Sequence, residues 1–199
     1  MKFIHISDIH LVAQDGPLNG SFPSERFKKC LDDITKWHAD AEFCVISGDL
    51  SEFAEKEAYQ LLKNRVQDFP IPIFLMIGNH DNRDVFQTVF SDYPRDQNNF
   101  VQTSFETSGG IFLFLDTKKQ GDNVHDGELC EKRLAWLKMQ LINAGTKKTY
   151  LFMHHPPFEI GIPYMDKIRL FGAEQFLSTL SYGENIHHIF FGHVHRITF

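Results

Sequence analysis

Residues 43–49, Phe-Cys-Val-Ile-Ser-Gly-Asp (FCVISGD), carry an apolar run, Phe43–Ile46, that breaks at Gly48-Asp49. The run has the length of a strand and is apolar at every position, which is the pattern of a strand covered on both faces. The same arrangement recurs on either side of it. Phe3–Ile6 leads into Ser7-Asp8-Ile9-His10, and Ile73–Ile77 into Gly78-Asn79-His80-Asp81. Tyr150–Met153 leads into His154-His155, and Ile189–Phe191 into Gly192-His193-Val194-His195. Ile111–Leu115 is a sixth run, ending at Asp116.

Helical patterns separate the runs. Ser24 is placed to cap a helix whose Phe27, Leu31, Ile34 and Trp37 share a face, and Ser51 another through Ala54, Ala58, Leu61 or Leu62, and Val66. A third helix carries Leu129, Leu134, Leu137 and Leu141, and a fourth Phe176, Leu177 and Leu180. Residues 100–115, with Gly109-Gly110 at the turn, predict a hairpin. Alternating strands and helices plus a hairpin predict an α/β fold (α+β in some schemes), a mixed sheet with helices on its faces. Sheet order is not written in this pattern.

In open α/β sheets, sites form outside the carboxyl ends of the strands. Five strand ends here deliver Asp, Asn or His toward one edge. Asp8, His10, Asp49, Asn79, His154, His193 and His195 form a nitrogen and oxygen donor set without thiolate, suited to Mn, Fe, Zn, Co or Ni. Asp8 and His10 point the same way if the chain there is extended. Seven donors exceed the roughly four of one tetrahedral ion and match two ions sharing a carboxylate. Ion pairs about 3.5–4 Å apart are a device for in-line displacement at phosphorus. Singly, each position reads as a turn residue, a helix cap or a hydrogen-bonded histidine; turn chemistry does not account for all five strand ends together.

These motifs, D-x-H, G-D, G-N-H-D, H-H-P-P and G-H-x-H in that order from residue 4 to residue 196, resemble the calcineurin-like metallophosphoesterase signature. HISDIHL, SGDLSE, IGNHD, HHPPF and GHVHR look closest to the class III cyclic nucleotide phosphodiesterases and the related glycerophosphodiesterases. The resemblance implies a mixed β-sandwich flanked by helices and two divalent ions per chain, from Mn, Fe, Zn or Co. One ion would be held by Asp8, His10, Asp49 and His195. The other would take Asp49, Asn79, His154 and His193, with Asp49 bridging. His80 would stabilise charge or protonate the leaving oxygen beside the phosphate, with Asp81 orienting it. The reaction implied is in-line attack of a metal-bound hydroxide on a small phosphodiester. A phosphomonoesterase or nuclease of the same superfamily, or a non-catalytic scaffold that binds a protein, is the alternative.

His155 is expected to be structural, because neighbouring side chains on a strand diverge. Arg196 and Arg83 could grip phosphate, Arg196 as part of the substrate-binding set with Asn79 and His80, or could equally be surface ion pairs. His5 reads as a core histidine, and His187-His188, at the start of the last strand, as scaffold or surface residues. Phe22, Phe158 and Tyr164 sit on loops where they could stack on a base, while Asn19–Pro23 and Gly121–Gly127 look like specificity rims.

The 199 residues predict one domain, 1–199, with 42% hydrophobic and 23% charged residues. A net charge of −6 opposes binding of a nucleic-acid duplex without excluding a phosphate substrate. Cys30, Cys44 and Cys130 show no CxxC spacing, no run is long enough to span a membrane, and no signal peptide is visible; a cytoplasmic protein is expected. The chain ends four residues after His195, where relatives usually continue with further strands. An exposed or partner-covered sheet edge near the C-terminus, and with it a possible homo-oligomer, is therefore expected.

Overall fold

Strand β2 (Phe43–Ser47) lies at the centre of the architecture, and its two faces enter different cores. Phe43 and Val45 join one apolar cluster, while Cys44 and Ile46 join others. The structure is a computed structural model that describes residues 1–121 and 124–195. Its strands and helices run β1 (Phe3–Ile6), α1 (Pro23–Trp37), β2, α2 (Lys56–Val66), β3 (Ile73–Met76), α3 (Arg83–Val89), β4 (Thr103–Thr107) and β5 (Gly110–Phe114). There follow β6 (Gly127–Glu128), α4 (Glu131–Ala144), β7 (Thr149–Met153), α5 (Pro163–Lys167), β8 (Leu170–Phe171), α6 (Ala173–Leu180) and β9 (Ile186–Phe191).

Two sheets result. Strands β1-β2-β3 form a parallel sheet, and β4-β5-β7-β9 a mixed one in which only β4, the hairpin partner of β5, runs antiparallel. A short pair, β6 and β8, stands apart. The sheets pack face to face through aromatic rings: Phe43, Phe112, Phe114, Tyr150 and Phe152 are buried together with Val45 and Met76. Phe43 meets Phe112 edge-on at 4.8 Å, and Phe74 stacks on Phe114 at 4.7 Å. Burying each such ring contributes roughly 1.5–3 kcal/mol. The opposite faces take helices: α1, α2 and α3 cover the first sheet, and α4 and α6 the second. The expected mixed sandwich flanked by helices is therefore present, with its aromatic layer between the sheets.

The predicted strand runs coincide with β1, β2, β3, β5, β7 and β9, and the hairpin is present. The helix starts differ. Ser24 is buried and receives Arg65 Nη2 at 2.6 Å instead of capping, and α1 begins at Pro23. Ser51 lies five residues before α2, its amide bound to Asp81. Trp37 is 64% exposed and lies off the buried face of α1, and Leu177 is likewise largely exposed on α6. Periodicity does not announce α3. Its signal is a cap, Asn82 Oδ1 accepting the Asp84 and Val85 amides. Among the described residues, strand β9 pairs with β7 alone and has no neighbour beyond it.

Candidate metal and catalytic site

The loops after β1, β2, β3, β7 and β9 meet at one end of the sandwich, although their strands belong to two sheets. Backbone bonds lace them together. Asp8 N donates to Gly48 O (3.2 Å), His10 N to Asp49 O (2.9 Å), and Gly192 N to His154 O (3.1 Å). His193 N donates to both Asp8 carboxylate oxygens at 3.1 Å.

The local backbone is unusual. Asp8, His10, Asp49, His193 and His195 all have positive φ, between 46° and 70°. Such left-handed residues cost on the order of 1–3 kcal/mol each, and they persist where surrounding contacts over-determine them. This corrects the expectation for Asp8 and His10: the chain there is not extended, and the two side chains reach the same place through left-handed turns.

The motif glycines have a steric reason. A Cβ on Gly48 would come 2.5 Å from His154 Nδ1. One on Gly78 would collide with Asp49 Oδ1 and approach His154 Nε2 at 2.7 Å, and one on Gly192 would overlap Ser7 Oγ. The glycines leave room for the donor side chains beside them.

One group of potential ligand atoms comes from Asp8, His10, Asp49 and His195, all within 4.8 Å of one another. His10 Nε2 is 3.1 Å from His195 Nε2 and 3.7 Å from Asp49 Oδ2, and His195 Nε2 is 3.4 Å from Asp8 Oδ1. On the other side of Asp49, His154 Nε2 lies 3.3 Å from Asp49 Oδ2 and 3.1 Å from Asn79 Oδ1. His154 Nδ1 is 2.9 Å from the Ser47 carbonyl, which leaves Nε2 to face the carboxylate. His193 is buried with its ring 5.1 Å from that of His154, and its Nε2 has no partner among the described residues. Carboxylates and imidazole nitrogens crowded together, buried or half-buried except at the exposed His195, with Nε2 of His193 and of His155 left unpartnered among the described residues, fit divalent cations in chemistry and in charge.

Burial alone would raise the Asp49 carboxyl, but His154, His80 and His10 hold it far below the usual carboxylate range. Burial disfavours charge on His154, and Asp49, with Asp8 and the Ser47 carbonyl, outweighs that and lifts its pKa to about 9. His155 is pushed well down, first by burial and then by the neighbouring His154 and His193.

His80 has its amide on Asp49 Oδ1 (2.9 Å) and its Nδ1 on the Glu52 carbonyl (3.0 Å). The role expected for Asp81 is corrected. Its fully buried carboxylate accepts the Leu50, Ser51 and Gly78 amides and the Tyr59 hydroxyl, so it holds the loops and does not touch the His80 ring. Burial, then the charge of Asp49, raises its pKa to about 6.

The residue beside His80 is instead Glu52, which the sequence reading passes over. Its Oε2 lies 2.7 Å from His10 Nδ1 as an off-line ion contact, and 3.6 Å from His80 Nδ1. The available signal was its place in SGDLSE, three residues after Asp49. Lys118, whose Nζ donates to Asn79 O (3.0 Å), and His125, whose Nδ1 is 3.3 Å from Asn79 Nδ2, were also not singled out.

His155 lies on a bend past the end of β7, so strand alternation does not govern it. Its ring stands 4.9 Å from that of His154, nearly perpendicular, with Nδ1 2.8 Å from Thr117 Oγ1. Arg83 is tied to Asp116 through two bonds of 2.8 Å and does not reach the centre. Arg196 lies outside the described residues. Phe22, Phe158 and Tyr164 are exposed, but none lines the cavities beside His80, whereas Asn19, Ser21 and Pro23 on one rim and Val124 and His125 on the other do.

The profile of the calcineurin-like phosphoesterases matches residues 1–196. A probable cyclic nucleotide phosphodiesterase of Rhodopseudomonas palustris is 36% identical over 98% of this chain and 72% of its own length. A probable glycerophosphodiester phosphodiesterase of Arcobacter nitrofigilis is 31% identical over 100% of this chain and 73% of its own length. Among solved structures, a dimetal phosphatase from Danio rerio shares the fold, with a TM-score of 0.73 at 15% identity, covering 97% of this chain and 81% of that one.

Proposed function

This chain belongs to the calcineurin-like phosphoesterase family, and from that premise we propose that it hydrolyses a small phosphodiester, of the cyclic nucleotide or glycerophosphodiester class named for its relatives. The observation that carries the reading is the position of Asp49, whose Oδ2 is near both His10 Nε2, at 3.7 Å, and His154 Nε2, at 3.3 Å. One carboxylate is thereby available to two donor sets.

Two divalent ions, drawn from Mn, Fe, Zn or Co, would be held by Asp8, His10, Asp49 and His195 on one side and by Asp49, Asn79, His154 and His193 on the other. When bound, such ions acidify water toward neutral pH and neutralise charge on a phosphoryl group. The protein's own contribution is orientation. Ser47 O engages Nδ1 of His154, so Nε2 faces Asp49. Glu52 O engages Nδ1 of His80, leaving His80 Nε2 to carry a proton to the departing alkoxide. Asp81 and Tyr59 pin the loop that presents Asn79 and His80.

The setting proposed is the reducing cytoplasm, as one domain over residues 1–199. The three cysteines are free, and no helix among the described residues is long and apolar enough to cross a membrane. The β9 edge is a candidate contact for self-association, and no duplex partner is proposed, given the charge of −6. The test is turnover of bis-p-nitrophenyl phosphate against p-nitrophenyl phosphate by metal-loaded protein. The diester is expected to be faster. Faster monoester turnover, or a protein that neither binds Mn, Fe or Zn nor gains activity from them, would overturn the reading.

A further inference from the structure

Two cavities flank His80, and of their lining residues they share only Glu52 and His80. The first, of about 530 Å³, extends from Asp8, His10 and His195 to a wall that includes Ile9, Leu18 and Phe27. The second, of about 790 Å³, extends from Asn79 to Asn82, Lys118, Gln120 and His125. One is built from the end of β1 and the start of α1. The other is built from the end of β3, the start of α3 and, among the described residues, Lys118, Gln120, Gly121, Val124 and His125. Both volumes fall in the range of small-ligand sites.

We infer that the substrate is an acyclic phosphodiester whose phosphoryl group sits beside His80 and whose two alcohol arms occupy the two cavities. This rests on the phosphodiesterase reading above and chooses between its two substrate classes. In a 3′,5′-cyclic diester both ester oxygens close on one sugar, so every substituent leaves phosphorus on the same side and one cavity has no occupant. In an acyclic diester two independent arms diverge from phosphorus, as the two cavities diverge from His80. The cavities also differ in chemistry. Ile9, Leu18 and Phe27 offer a carbon-rich arm an apolar patch, beside the polar groups of Arg26, Asn19 and Ser21. Lys118, Gln120 and His125 offer donors and acceptors to a hydroxyl-bearing arm such as glycerol. One N–H of Lys118 is committed to Asn79 O, and the ammonium has others to give.

The experiment is steady-state kinetics of the Mn-loaded protein on glycerophosphocholine, bis-p-nitrophenyl phosphate and 3′,5′-cyclic AMP. It is repeated with two variants that narrow one cavity each, Asn19→Trp and Gln120→Trp, both at exposed rim positions. We expect kcat/KM for the better acyclic diester at least about 10-fold above that for cyclic AMP, and each variant to raise its KM about fivefold or more at unchanged metal content. Cyclic AMP turned over as fast as the acyclic diesters, or an acyclic KM that stays within about twofold when either cavity is narrowed, overturns the two-armed assignment and leaves the diesterase reading intact. Absence of turnover on all three substrates with ions bound overturns the diesterase reading and this inference with it.

Discussion

Asp49 and His154 face each other at 3.3 Å, carboxylate Oδ2 to imidazole Nε2, and each is completely or almost completely buried. A buried pair this close loses heavily when one partner is removed, because the other charge is left uncompensated. Asp49 also serves the His10 side and holds the His80 amide, so it links every part of the site.

Asp49→Ala is therefore expected to lower bound metal at both donor sets together and to cut turnover at least about 100-fold, beyond the loss typical of a group that only supports a ligand. Elemental analysis of purified, reloaded protein reads the first effect. Retention of two ions would refute the shared role.

Glu52→Gln keeps the shape beside His10 and removes the charge. Metal affinity at the Asp8 and His10 side should fall about 10–100-fold. Equilibrium dialysis with Mn or Zn measures it, and unchanged affinity would make the 2.7 Å contact incidental.

The two adjacent histidines should separate. His154→Ala is expected to lose metal and turnover. His155→Ala, which empties a fully buried site packed against Gly127 and Thr117, should cost on the order of 2–4 kcal/mol of stability at nearly normal metal content. Urea unfolding and metal analysis of both variants decide it; loss of metal from the His155 variant would reassign that residue.

Gly78→Ala places a methyl group against Asp49 Oδ1 and 2.7 Å from His154 Nε2. The expected outcome is displacement of one of these side chains and at least about 10-fold weaker metal binding. Calorimetric titration with the metal tests it.

His5 carries a pH prediction for the metal-free protein. Burial, against a smaller pull from Asp8, lowers its pKa from 6.5 to about 4. The unfolded chain therefore takes up the proton first as pH falls, so the contribution of His5 is complete above about pH 6.5 and declines toward pH 4. In His5→Phe, where Phe152 and Phe190 already meet the ring edge-on, unfolding between these pH values should take up about one proton fewer. An unchanged slope of stability against pH would contradict the assignment.

The helices show where sequence reading loses precision. The buried stripe of α1 was legible, but Ser24, a fitting cap by type, is occupied by Arg65 from a helix 41 residues away. Helix α3 escaped because seven residues are too few for a clear period, and its cap is the local mark it leaves. Among site residues, the donor types at five strand ends were legible because each follows an apolar run directly. Glu52, Lys118 and His125 were not, since their proximity to His10 and Asn79 comes from loops separated by 42, 39 and 46 residues.

Local pattern determined which segments are strands and which side chains stand at their ends, because burial on both faces and the break at a strand terminus are written in consecutive residues. The tertiary structure alone decided how those ends combine. It laid β1-β2-β3 against β4-β5-β7-β9, set Asp49 beside two groups of histidines, and brought the His193 amide onto Asp8 across 185 residues. It also bent Asp8 and His10 into left-handed turns that no periodicity encodes, since only contacts from distant loops can hold a backbone there.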